Sequence, residues 1–118
     1  MKSYVLVGHS LGVRAIVVAA QTLGTKPGGP QIRAIHLLGA AIGARSACHT
    51  LTAAVDAAVY NYHSANDSVL KYAYSLAQGG KAAAGLIGFS PSENRLENID
   101  VSTRVKGHFD YHKNVSLK

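Results

Sequence analysis

The sequence predicts an α/β fold of about four parallel strands with flanking helices, on three observations. Short apolar runs without polar alternation, of which Tyr4-Val5-Leu6-Val7 is the first, suit strands buried on both faces. Between them lie stretches whose apolar residues recur at helical spacing, and strands alternating with helices pair in parallel through right-handed crossovers. Glycines or polar clusters punctuate these segments, at Gly8, Gly39 and His63 to Ser68. The chain has 118 residues, 47% hydrophobic and 15% charged, which suits one small globular domain spanning 1–118.

The elements follow in order. After the first strand, Gly8 to Gly12 form a tight turn, and Val13, Ile16, Val17 and Ala20 mark one face of a helix that Gly24 and Pro27 stop. Residues 25–30 are a loop by composition, and Ala34 to Leu38 is the next buried strand. Residues 40–55 are small and fit a loop with a short helix. A third strand is expected at Ala57 to Tyr62, then a helix with apolar face Val69, Tyr72, Ala73, Leu76 and Ala77, ended by Gly79-Gly80. The glycine-rich stretch 81–89 fits a flap or a packed loop, with packing favoured. Ser90 to Glu93 has the form of a capping box with proline at the first helical position. A fourth strand, Leu96 to Val101, leads through a polar turn to His108-Phe109-Asp110-Tyr111-His112.

Composition narrows the function. The charge-free stretches Ala15 to Thr25 and Ala34 to Ala44 fall well short of the ~18 to 20 residues of a spanning helix, so no transmembrane segment is expected. The N-terminus lacks the length and cleavage site of a secretory signal, making cytoplasm the expected compartment. A single cysteine, Cys48, excludes an intramolecular disulfide framework and a multi-cysteine zinc module. The net charge of +6 is scattered, without the basic stripe and interleaved aromatics of a nucleic-acid module, so nucleic acid is not an expected partner.

Gly8-His9-Ser10-Leu11-Gly12 fits G-x-S-x-G between a strand and a helix, a nucleophile elbow. The serine of such a turn is strained so that its hydroxyl stands clear of the sheet, and flanking glycines avoid collisions with neighbouring backbone. The following helix aims its N-terminal N–H groups at the site, which makes the Leu11 amide an oxyanion donor. A glycine-rich turn could instead hold a phosphate, but the third glycine of a dinucleotide fingerprint and the Gly-Lys-Ser/Thr of a P-loop are missing. Chain order strengthens the hydrolytic reading. Ser10, Asp67 and His108 follow three predicted strands in the order nucleophile, acid, base. In that reading Ser10 attacks an acyl carbonyl, His108 carries its proton to the leaving group, and Asp67 fixes the histidine tautomer.

On these residues the sequence resembles the α/β-hydrolase superfamily over nearly its whole length. Asn66 to Tyr72, Asp100 to Ser102 and Gly107 to Tyr111 look like a poorly characterised branch that includes transmembrane and coiled-coil domain proteins. The resemblance implies a catalytic C-terminal half, with family strands five to eight. The second oxyanion N–H, which the family takes from the loop after its third strand, is then expected from a separate chain or a second copy. Losing one such donor typically costs ~100- to 1,000-fold in rate. The first strand would keep an open apolar edge, which predicts association through it.

Each site residue has a plainer alternative. Ser10 could be an ordinary turn serine and Asp67 a carboxylate at a helix N-terminus. His112 competes with His108 as base, and with Asp110 these histidines could ligate a metal, although no further ligand is apparent. Asp56 and Asp100 are poorer candidates for the acid. His9 either lines the pocket or packs under the elbow, and His36 fits a satisfied core histidine. The expected function is thus a serine hydrolase acting on ester or other acyl substrates, lipids among them, with no metal or organic cofactor. The alternative is a non-catalytic interaction module, or an incomplete hydrolase fragment, that pairs through its open sheet edge.

Overall fold

The computed structural model describes residues 3–24, 31–44, 51–52, 55–89, 95–111 and 115–117. Four strands, β1 (Ser3–His9), β2 (Gln31–Leu38), β3 (Val55–His63) and β4 (Leu96–Asp100), form one all-parallel sheet in spatial order β1-β2-β3-β4. This is the α/β architecture the sequence predicts. The first three strands outrun their apolar cores because backbone pairing continues into polar neighbours, for example His9 opposite Leu38.

α1 (Gly12–Gly24) returns over β1 and β2. Its Val13, Ile16 and Ala20 are buried at the expected spacing, against a core that includes Ile35, Leu37 and Val59. Burying a side chain the size of Val13 or Ile16 is worth ~1.5–3 kcal/mol, so this face anchors the helix. At Gly8 a Cβ would lie 2.5 Å from Ile16 Cδ1 and 3.4 Å from the Val13 Cα, so glycine lets α1 settle onto the end of β1. Gly12 differs from expectation: nothing lies within 4 Å of its would-be Cβ, and no collision demands glycine there.

A second core gathers Leu38, Tyr62, Val101, Val105 and Tyr111 towards the carboxyl ends of the strands. Beside it His36 is buried and shares a 3.1 Å hydrogen bond between its Nδ1 and the Tyr62 hydroxyl, as a satisfied core histidine should. Burial lowers its pKa.

The segment after β3 departs from expectation. α2 begins as a π-helix over Val69–Tyr74 and ends in a short α-helical turn, Ser75–Ala77. Its buried stripe is not the one the helical spacing marks. Leu70 is buried and Tyr74 packs beside it against Ala41, Ala83 and Leu86, while Tyr72 is 66% and Leu76 86% exposed. The cause lies at the start of the helix, where the Leu70 N–H donates to Asp67 Oδ1 at 3.1 Å and so turns Leu70 inward.

The stretch 81–89 is packed. Its short helix, α3 (Ala84–Ile87), lies against the loop after β2 through Gly85 N–H to Ala40 O (3.0 Å) and Ala84 N–H to Ile42 O (2.7 Å). The Gly85 O accepts from Ser64 N–H at 2.9 Å, which ties α3 also to the end of β3. The capping box at Ser90 to Glu93, the loop 25–30, Cys48 and His112 lie outside the described residues. Among the described residues no helix is long and apolar enough to cross a membrane.

Candidate active site

Ser10 follows β1 directly with φ +58°, a left-handed conformation that is strained for a residue with a side chain. Its backbone is held from three directions. Its N–H donates to Leu38 O at 3.0 Å, and its carbonyl accepts from Val13 N–H and Ala41 N–H, both at 3.2 Å. The strain predicted for the elbow is present, and the neighbouring strand end and loop maintain it.

Asp67 stands in the loop between β3 and α2 and is fully buried. Ser64 shapes that loop: its hydroxyl donates to Val105 O at 2.8 Å and its carbonyl accepts the Asp67 N–H at 3.2 Å. His108 lies past β4, beyond the turn Val101 to Gly107, and is also buried. The sheet brings the three residues together. Asp67 Oδ2 is 2.6 Å from His108 Nδ1, and His108 Nε2 is 2.7 Å from Ser10 Oγ. A carboxylate can only accept, so Nδ1 carries a proton in this pair. In a neutral imidazole Nε2 is then the acceptor, and the Ser10 hydroxyl donates to it. Such a chain can take a proton from the serine oxygen as that oxygen attacks an electrophile, and return it to a departing group.

The other expected residues occupy definite places. Leu11 begins the turn into α1 with its side chain exposed, and among the described residues no carbonyl engages its N–H. That leaves the amide available at the helix N-terminus. His9 packs against His108: its Nε2 lies 2.7 Å from His108 O, to which it donates, and the two rings are 4.8 Å apart. Gly8 sits beneath the elbow and Gly12 beside it. The poorer acid candidates lie apart from this cluster. Asp100 binds Ser102, and Asp56 is an exposed residue of β3. Among the described residues no group of three or more His, Cys, Asp or Glu could hold a metal ion.

Sequence reasoning missed two participants. Tyr111 is buried and its hydroxyl donates to Asp67 Oδ2 at 2.9 Å, with Gly85 O a longer second acceptor at 3.4 Å. Burial above all, and then the adjacent Asp67 charge and hydrogen bond, raise the Tyr111 pKa well beyond its ordinary range, so the phenol stays a donor. Gly39, with φ +56°, leaves the space these groups fill; a Cβ there would lie 2.8 Å from the Tyr111 ring and 3.2 Å from Asp67 Oδ2. The only advance signal for Tyr111 was its place in the stretch Gly107 to Tyr111.

The model of a family described as "Protein of unknown function (DUF726)" matches residues 1–117. A protein of Schizosaccharomyces pombe, named as an uncharacterized membrane protein, is 31% identical over 112 residues. The match covers 94% of this chain but 19% of that relative. No solved structure matches.

Proposed function

We propose that this chain, which belongs to the DUF726 family, is the catalytic part of a serine hydrolase acting on ester or other acyl substrates. The observation that carries the reading is the continuous hydrogen-bonded path from Asp67 Oδ2 through both ring nitrogens of His108 to Ser10 Oγ. The strained backbone of Ser10 supports it independently, since strain of this kind persists only where the surroundings hold it.

In the proposed reaction Ser10 Oγ attacks the acyl carbonyl carbon while His108 Nε2 takes the hydroxyl proton. The Leu11 N–H donates to the developing oxyanion. Collapse of the tetrahedral intermediate breaks the bond to the leaving group, which receives the proton from His108 and departs, leaving Ser10 acylated. Water then attacks the acyl carbon with His108 again as base, releasing the acid and restoring the serine. Asp67 supports the imidazolium throughout. The C-terminal half of an α/β-hydrolase is the fold reading that accompanies this chemistry. The second oxyanion donor then comes from other polypeptide, either the rest of a longer protein or a second copy. Because the relative is named as a membrane protein, lipids or hydrophobic esters are the proposed substrates; the proposed compartment is the cytoplasm.

A second reading, an interaction module without catalysis, is favoured by one feature. β1 is an edge strand, with Tyr4, Val5 and Val7 about half exposed. A fluorophosphonate probe separates the two. The hydrolase should be labelled, Ser10→Ala should abolish labelling, and His108→Ala should slow it ~100- to 10,000-fold. A folded chain that is never labelled would leave the interaction module.

A further inference from the structure

We propose that Tyr111 is a positioning residue of the candidate site, one whose hydroxyl sets how strongly Asp67 engages His108. The inference rests on the serine-hydrolase reading for its consequence in rate, but its structural content can be tested without it.

Three donors surround the Asp67 carboxylate. Oδ1 accepts the Leu70 N–H at 3.1 Å, while Oδ2 accepts both the His108 Nδ1–H at 2.6 Å and the Tyr111 O–H at 2.9 Å. Leu70 and Tyr111 hold the two oxygens from opposite partners, so the carboxylate cannot rotate without breaking one of these bonds in a site closed to water. The nearer, charged acceptor takes the tyrosine proton, and Gly85 O stands farther away at 3.4 Å. The ring itself is placed by the glycine at 39, where any side chain would meet it.

Sharing one oxygen between two donors has a signed consequence. The phenol draws negative charge from Oδ2, which makes that oxygen a weaker acceptor for His108 than it would be alone. Removing the hydroxyl leaves a stronger acceptor facing the imidazole and a carboxylate less well fixed in orientation. His108 is then held by a carboxylate that binds its Nδ1–H more tightly but is itself less well oriented, and it serves Ser10 less well as a base.

The test uses the full chain and Tyr111→Phe, which keeps the ring that fills the space over Gly39. The fluorophosphonate labelling rate at neutral pH should fall several-fold. The downfield proton resonance of the Nδ1–H between His108 and Asp67 should move further downfield. Replacing the tyrosines with a more acidic fluorotyrosine keeps the ring and strengthens the donor, and should move that resonance the opposite way; this measurement stands even if the phenylalanine variant does not fold. A labelling rate or melting temperature that falls while the resonance stays fixed would make Tyr111 merely structural and overturn the proposal. If the parent chain is never labelled, the hydrolase reading fails, and the resonance alone decides whether Tyr111 modulates the Asp67–His108 bond.

Discussion

Gly12 and Gly39 both flank the candidate site, yet only Gly39 is held to glycine by its surroundings. Gly39 combines φ +56° with a would-be Cβ 2.8 Å from the Tyr111 ring, whereas Gly12 has an ordinary φ and open space around it. Gly39→Ala should therefore cost at least ~1–3 kcal/mol from backbone strain alone. Gly12→Ala should be neutral or stabilise the start of α1 by up to ~1 kcal/mol. Urea midpoints of the two variants check this, and equal losses at both would contradict it. The contrast marks what could be read in advance. The identities of Ser10, Asp67 and His108 were legible because each follows a strand, and parallel strands deliver their carboxyl ends to one side of a sheet. Tyr111 was not, since a tyrosine that binds a carboxylate has the same sequence signature as one that fills a core. Nor was the role of Gly39, which depends on a ring arriving from the far end of the chain.

At the scale of elements, strands and α1 are legible from apolar runs and spacing, whereas the winding and the buried face of α2 are not. The apolar residues of 69–77 are spaced for an α-helix, but the chain winds as a π-helix over Val69–Tyr74 because the site dictates its entry. Asp67 must present Oδ2 to His108, and its Oδ1 then captures the Leu70 N–H and faces Leu70 into the protein. A constraint from forty residues away thus outweighs local periodicity, and π-helical turns commonly accompany functional sites. The consequence is measurable. Leu70→Ala, which empties a buried position against Ala41 and Ala83, should cost ~2–5 kcal/mol. Leu76→Ala, at a residue 86% exposed, should change stability by less than ~0.5 kcal/mol. Thermal or urea unfolding of both variants tests the observed burial against the face expected from spacing; comparable losses would favour the latter.

For the whole molecule, the linear order β1-β2-β3-β4 makes β1 and β4 the edges of the sheet. β2 and β3 are interior and carry fully buried Ile35, Leu37 and Val59, but β1 has one neighbour and leaves Val5 and Val7 about half exposed. It is also the strand that ends at Ser10, so whatever pairs with it lies beside the candidate nucleophile and can reach an oxyanion with a second N–H. This chain spans 19% of its Schizosaccharomyces pombe relative, and in a longer protein a further strand is the occupant we propose for that edge. Among the described residues every strand already belongs to the one sheet, so for the isolated chain a second copy is the source of a pairing strand. The isolated chain should therefore self-associate at micromolar concentration, and Val5→Lys with Val7→Lys should shift the population towards monomer, because a lysine-bearing edge resists further pairing. Sedimentation velocity on the parent chain and the double variant reads this directly. A parent chain that stays monomeric across the range would show that an exposed apolar strand is tolerated here, and would remove the case for completing the site through β1.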